Sequence, residues 1–246
     1  MTENEHRNVL ITGVSSGIGH ALAAYYLDHG WAVYAASRRT PDELTKHAAF
    51  HFASIDLGEF ALAHARLLAL IEGVTHLDLV VLNAGVLGKF GDIGDAQFDD
   101  LKHTLNINLW ANKVVLDTLH GAEISIDQAV TISSGAAVNG NRGWSGYAIS
   151  KAALNMLTKL YAAERPDTHF CALAPGLVDT EIQDELEAVG EDERYPSLAN
   201  INAKRGTPDF PTGEQLAPRL AETIARLPGL VESGAFADIR KLPESA

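Results

Sequence analysis

The sequence predicts an α/β fold in three layers: a doubly wound, mainly parallel sheet of about seven strands with helices on both faces. Three observations carry that expectation. Short apolar runs alternate with longer stretches of helical period along all 246 residues. Several of these runs are near-continuous Val, Leu, Ile and Ala, the composition of strands buried on both faces. The first run ends in a glycine-rich turn that opens directly into a helical pattern, as a parallel crossover unit does.

The elements follow in order. NVLIT (8–12) reads as the first strand, and the stretch 17–29 after the glycine turn as its crossover helix. The run ending in AVYAA (32–36) is the second strand, a short helix falls at 41–46, and AFHFA (49–53) is the third strand. Helical period at 59–72 leads to LDLVVL (77–82), and a long helical stretch at 96–120 leads to AVTIS (129–133). A helix at 145–164 precedes HFCALA (169–174); a helix at 213–226 precedes the last strand, 235–239. Between Asp179 and Thr212 the alternation breaks. Ile182, Leu186 and Val189 keep helical spacing there, and a Pro- and Asn-bearing stretch with little pattern follows. Long irregular insertions in compact domains are functional lids or loose loops, and a substrate lid at 179–212 is the expectation. With no linker and no internal repeat, 1–246 reads as a single domain.

Composition narrows the function classes. The chain has 19 Lys and Arg against 32 Asp and Glu, a net charge of −13, and such a field repels nucleic acid and anionic membranes. Its longest apolar run, 21–27, is far short of the roughly 20 residues that span a bilayer. The polar start MTENEHRN carries no secretory signal pattern, and the single cysteine, Cys171, fits a reducing compartment, so a cytoplasmic protein is expected. The ten histidines include no H-E-x-x-H, and no metal site is expected. The acidic residues Glu181, Asp184, Glu185, Glu187, Glu191, Asp192 and Glu193 read as a solvated face.

The turn after the first strand is Gly13-Val14-Ser15-Ser16-Gly17-Ile18-Gly19. Glycine lets the backbone turn sharply and approach a pyrophosphate, while the helix behind it offers free N–H groups and a positive dipole end. The spacing G-x-x-x-G-x-G differs from the usual dinucleotide fingerprint, but its place at the head of an alternating domain points to a Rossmann-type nucleotide site. At the end of the second strand, where a carboxylate would hold the ribose 2′-hydroxyl of NAD, stand Ser37, Arg38 and Arg39. Two guanidinium groups suit a 2′-phosphate, so NADP(H) is expected, against the alternative of two exposed loop arginines.

Tyr147 and Lys151 lie four apart at the start of a helix, so phenol and ammonium share one face. A nearby cation favours the phenolate and draws the tyrosine pKa down from about 10. Ser134, at the end of the strand VTISS, gives the pair its meaning.

Taken together, Thr12-Gly13-x-x-x-Gly17-Ile18-Gly19, Asn83-Ala84-Gly85, Asn108, Ser134, Tyr147, Lys151, and Pro175-Gly176 with Val178 and Thr180 resemble the short, single-domain branch of the short-chain dehydrogenase/reductase family. The resemblance spans essentially the whole chain, in the family's order. Within that family SRRTPDEL, ISSGAA, GWSGYAISKAALNM and APGLVDT resemble the sepiapterin reductase and benzil reductase group. The resemblance implies that Tyr147 is the proton donor in carbonyl reduction, that Lys151 lowers its pKa and binds the nicotinamide ribose, and that Ser134 holds the substrate carbonyl. It implies a water bound by Asn108 that links Lys151 to solvent, with a side chain meeting a backbone group as the competing reading. Asp56 and Leu57 would flank the adenine, Asp56 competing with a helix N-cap role. Asn83, Ala84 and Gly85 would pass beside the cofactor, Asn83 also steadying the sheet. Pro175, Gly176, Val178 and Thr180 would shape the nicotinamide end. Some NADP-using relatives carry a basic residue in place of Ser16, which shifts the 2′-phosphate onto Ser15, Arg38 and Arg39.

The expected activity is an NADPH-dependent carbonyl reductase acting on a ketone or diketone; the resemblance implies that the 4-pro-S hydride is the one transferred. Trp144, Val86, Leu87 and Phe90 are candidates for an apolar substrate pocket. Alternatives are an NADP-linked alcohol dehydrogenase working oxidatively and a non-catalytic dinucleotide sensor, which would not need Ser134, Tyr147 and Lys151. A sugar-nucleotide epimerase is set aside because only about 70 residues follow Pro175. Relatives pair through the helices holding Asn108 and Tyr147, so a homodimer or homotetramer is expected.

Overall fold

The computed structural model describes residues 7–190 and 192–243; Glu191 of the acidic run lies outside them. Among these residues one seven-stranded sheet forms: β1 (Asn8–Thr12), β2 (Ala32–Ser37), β3 (Phe50–Ser54), β4 (His76–Leu82), β5 (Ser125–Ile132), β6 (His169–Ala174) and β7 (Ala235–Asp238). The order is β3-β2-β1-β4-β5-β6-β7, and every pairing is parallel. The helices are α1 (Gly17–Asp28), α2 (Phe60–Leu70), α3 (Phe98–Leu105), α4 (Ala111–Gly121), α5 (Ala136–Asn139), α6 (Ser145–Glu164), α7 (Glu181–Glu187), α8 (Pro196–Asn202) and α9 (Gly213–Leu230).

Side chains alternate across each strand, so an apolar run supplies two cores at once. Val9 and Ile11 of β1, Leu79 and Val81 of β4 and Cys171 and Leu173 of β6 pack with α1 and α9 on one face. Leu10, Val80, Leu82 and Phe170 point the other way and pack with α2, α4 and Tyr161 of α6. No helix among the described residues is long and apolar enough to cross a membrane.

Several boundaries differ from the sequence expectation. The stretch 96–120 is α3 and α4 joined by a π-helical turn, Asn106–Trp110, which carries Asn108 into full burial. Such a turn makes i→i+5 bonds, and a 3.6 period does not reveal it. β5 starts at Ser125 rather than 129, because its first residues are polar and pair with β4, His76 against Ser125. The expected helix at 41–46 is one 3₁₀ turn, Leu44–Lys46. α9 runs on to Leu230 through Pro228; its start is fixed by Thr212, whose side chain accepts from the Gln215 N–H while Gln215 reaches back.

The chain moves outward from β1 to β3, then returns to place β4 on the other side of β1. At this reversal the loops leaving the C-terminal ends of β1 and β4 diverge and open a crevice. The segment 179–212 arches beside it, its two ends pinned together where the Asp179 N–H donates to the Pro211 carbonyl at 2.9 Å.

Candidate active site

The crevice is a cavity of about 520 Å³. Its nucleotide end is built on backbone. Gly13 has φ +75° and Gly17 φ +58°, conformations that disfavour any side chain. A Cβ on Gly13 would stand 2.8 Å from Ala84 Cα, and one on Gly17 3.0 Å from Thr180 Cγ2. Ser16 caps α1 without a side-chain hydrogen bond, which leaves the first-turn N–H groups facing the crevice for an anion. Gly13, Ser15, Ser16, Gly17 and Ile18 line the cavity, whereas Gly19 is buried beneath them, where a Cβ would run into the Gly13 carbonyl and Asn83 Nδ2. Gly19 therefore lets α1 sit close on the sheet and does not itself reach the cavity.

Asn83, just past β4, ties the two diverging loops. Its Nδ2 donates to the carbonyls of Thr12 and Gly13, each at 3.0 Å, and Thr12 Oγ1 accepts from the Asn83 and Ala84 N–H groups, each at 3.1 Å. Beyond β2, Ser37, Arg38 and Arg39 line the cavity; Ser37 Oγ donates to the Arg39 carbonyl at 2.7 Å and so shapes the arginine turn. The Arg39 guanidinium donates to Glu181 at 2.6 Å, joining this turn to α7. Asp56 and Leu57 also line the cavity, and Asp56 Oδ1 accepts from the Gly58 N–H at 2.9 Å, forming a turn before α2 rather than its cap, which is Glu59. Pro175, Gly176, Val178 and Thr180 close this half from β6, together with Ala84 and Gly85.

At the other end the sheet and α6 bring Ser134, Tyr147 and Lys151 together with Trp144. The Ser134 side chain lies beside the Tyr147 phenol, and its hydroxyl accepts from the Ala136 N–H at 3.1 Å. Lys151 is buried; its Nζ donates to the Ile132 carbonyl at 2.7 Å and lies 5.7 Å from the centroid of the Tyr147 ring. Burial acts against both charged forms. It raises the Tyr147 pKa above its usual value, with the Ser134 hydrogen bond opposing, and lowers that of Lys151 to about 8. In the ligand-free chain burial thus outweighs the pull toward phenolate that the sequence suggests for the lysine cation.

Asn108 lies behind this set, outside the cavity lining. Its Nδ2 donates to the Val86 carbonyl at 2.8 Å and to Ser150 Oγ at 2.9 Å, and its Oδ1 accepts from the Val86 N–H at 2.8 Å. Both amide hydrogens are taken by protein, so Asn108 fastens the turn after β4 to α6. Only its oxygen keeps a lone pair for water. Gly85 leaves it room: a Cβ there would come within 3.3 Å of Asn108 Oδ1 and 3.5 Å of Lys151 Nζ.

Of the four apolar candidates, Trp144 and Val86 line the cavity, but Leu87 and Phe90 do not. Leu87 is buried with Trp144, Leu186, Tyr195 and Leu198, and Phe90 packs edge-on against Trp144 and Tyr195. They support the indole from behind. Trp144 Nε1 donates to Ser197 Oγ of α8 at 3.0 Å, which brings the 179–212 segment against the start of α6. The acidic run is more than a solvated face: Arg205 gathers Asp179 at 2.8 Å, Asp184 and Glu187, and Arg194 holds Asp192.

Sequence reading missed part of the wall. Ile182, Ser197, Asn200, Ile201 and Lys204 come from the 179–212 segment, whose pattern gave no sign of which side chains turn inward. Arg240 follows β7 and also lines the cavity, held by buried Asp238 through Nε at 2.9 Å and Nη2 at 2.6 Å. A lone arginine after the last strand carries no signal in sequence; its place exists only because β7 pairs with β6.

A doubly wound sheet with a glycine cradle at its reversal point, and a serine, tyrosine and lysine gathered beside it, defines a class of nucleotide-dependent oxidoreductases. The chain belongs to the short-chain dehydrogenase/reductase family: the model of the short chain dehydrogenase family matches residues 7–190. It is 32% identical over 225 residues to a benzil reductase ((S)-benzoin forming) of Bacillus subtilis, covering 85% of this chain and 91% of that protein. The crystal structure of YIR035C, a short chain dehydrogenase/reductase of Saccharomyces cerevisiae, matches with a TM-score of 0.83 at 24% identity over 96% of each chain. The structure of ElxO with NADP bound matches with a TM-score of 0.76 at 22% identity, over 95% of this chain and 97% of that one. At these identities the structural likeness is one of fold. The backbone cradle and the residues around it fit a nicotinamide dinucleotide, the cofactor class of the family.

Proposed function

We propose that this chain is an NADPH-dependent carbonyl reductase acting on a ketone or diketone. One observation carries the reading: Ser134, Tyr147 and buried Lys151 share a single cavity with the glycine cradle and the Arg38–Arg39 turn. The benzil reductase relative supports the substrate class, and the NADP-bound fold neighbour supports the cofactor.

Ser15, Ser37, Arg38 and Arg39 would hold the 2′-phosphate, the free N–H groups of α1 the pyrophosphate, and Thr180 and Gly176 the nicotinamide end. When bound, the dinucleotide supplies the hydride that reduces the carbonyl carbon. Ser134 donates a hydrogen bond to the carbonyl oxygen, where negative charge develops. Tyr147 then gives its phenolic proton to that oxygen. Because burial raises its pKa, Tyr147 is fully protonated at neutral pH, the form that reduction requires. The Lys151 ammonium stabilises the phenolate left behind and, when charged, sits on the Ile132 carbonyl in a fixed position. Trp144 and Val86, with Ile182 and Ile201 from the 179–212 segment, form an apolar wall for an aryl ketone. That segment acts as a lid, within a chain that folds as one catalytic unit. Trp110 and the exposed Ile149, Met156 and Leu160 of α6 support self-association through α4 and α6.

The test is NADPH consumption with a panel of ketones and diketones, in parallel with Tyr147→Phe. Turnover on aryl diketones that the variant loses while keeping its affinity for NADPH is the expected result. Tight NADPH binding without turnover on any carbonyl would favour a sensor, and a fully active Tyr147→Phe would refute the mechanism.

A further inference from the structure

Far from the crevice, at the N-terminal ends of β4 and β5, four polar side chains form a patch on one face of the sheet. Residues two apart on a strand face the same way, so His76 and Asp78 share a face, as do Ser125 and Asp127. The parallel register sets His76 beside Ser125 and Leu77 beside Ile126, which places the two aspartates next to each other across the strands. Like charges directly opposite in a sheet repel. His76 Nε2 points between them, 3.4 Å from Asp127 Oδ2 and 3.9 Å from Asp78 Oδ1. These separations are longer than the ~2.7–3.2 Å of a hydrogen bond.

Ser125 Oγ lies 2.9 Å from His76 Nδ1 and 3.2 Å from the Thr75 carbonyl, so it holds the imidazole ring from its far side while Nε2 faces the two carboxylates. Asp78 is held in turn by the Asn8 N–H, which donates to its Oδ2 at 2.7 Å. One ligand atom from each of His76, Asp78 and Asp127 lies within 4.8 Å of the other two. Donor atoms bound at about 2.0–2.1 Å around a tetrahedral cation are separated by about 3.3 Å. An imidazole nitrogen with two carboxylate oxygens, and a hydroxyl orienting the ring from its far side, is a ligand set for a borderline divalent cation.

The geometry points to a cation site for zinc or a similar divalent transition metal at His76, Asp78 and Asp127. It would clamp β4 to β5 at the end of the sheet remote from the nucleotide. The sequence hides it because no short motif connects residues that only strand pairing brings together.

The test takes the full chain without a histidine tag, strips it with a chelator, and titrates it with zinc chloride by calorimetry alongside His76→Gln and Asp127→Asn. The expected result is one zinc per wild-type chain, a Kd at least tenfold weaker in both variants, and a zinc-dependent rise in Tm that both variants lose. In chelator, Asp127→Asn should melt no lower than wild type, since it relieves the facing charges; this keeps a folding defect from imitating lost binding. Wild-type protein that binds no zinc, or variants that bind it as tightly, would overturn the site.

Discussion

Asn83 offers the sharpest test of how the crevice is held open. Its amide donates two hydrogen bonds, both at 3.0 Å, to the carbonyls of Thr12 and Gly13. Replacing it with alanine removes both and leaves two carbonyls, one on buried Thr12 and one on half-buried Gly13, to find other partners. At about 1 kcal/mol net per bond, and more where water cannot reach the orphaned oxygen, the loss is about 2–4 kcal/mol. For a chain of this size each kcal/mol lowers Tm by roughly 2–4 °C, so Asn83→Ala should melt about 5–15 °C below wild type. Asn83→Asp separates donation from size: the side chain keeps its shape but points a carboxylate at two carbonyl oxygens. It should be less stable than the alanine variant at neutral pH. The repelled carboxylate has a folded-state pKa above its unfolded value of about 3.9, so the defect is full at neutral pH and shrinks as the pH falls through that raised pKa. Urea and thermal unfolding of the ligand-free variants, at pH 7 and at mildly acidic pH, measure this. An aspartate variant as stable as wild type, or more stable than alanine at pH 7, would refute the idea that amide donation holds the two loops.

Three further outcomes are expected. Arg38→Ala should weaken NADPH roughly ten- to a hundredfold, the worth of a charge-assisted hydrogen bond, and leave NADH nearly unchanged; equal losses in fluorescence titrations would contradict a 2′-phosphate clamp. Lys151, with its folded pKa depressed to about 8 from 10.5, destabilises the ligand-free fold below pH 8, and that penalty fades as the pH rises. Between pH 7 and 9.5 the wild type should therefore gain about 2 kcal/mol on Lys151→Met in denaturant unfolding, and a flat difference would remove the buried-ammonium account. Gly88→Ala should cost about 2–4 kcal/mol, because its φ is +70° and a Cβ would run into the buried Thr104 hydroxyl; unfolding close to wild type would show that the loop yields.

How much was legible in the sequence depended on the range of each cause. β1 and β6 were read to the residue, since each is an apolar run with no more than one polar residue at either end. β5 was read four residues short, because Ser125 and Asp127 are polar and only their partner on β4 marks them as strand. The glycine cradle, Ser134, Tyr147 and Lys151 were visible as motifs, since each answers a local demand: a backbone turn, a strand end, two residues on one helix face. Arg240 and the inward side chains of 179–212 were not, because what selects them is contact with residues far along the chain.

The sequence by itself determined the alternation that makes a parallel sheet, the glycines at which the backbone bares its N–H groups, and the serine, tyrosine and lysine at their strand end and helix face. These are set within a few residues of each position by φ, by period and by side-chain identity. Tertiary structure alone decided that Asn108 clasps Val86 to α6, that Phe90 stands behind Trp144 and not in the cavity wall, and that Glu181 meets Arg39. It alone decided that His76, Asp78 and Asp127 converge. Each of these depends on strand register or on the path of a long loop, and such distances are fixed only when distant segments pack.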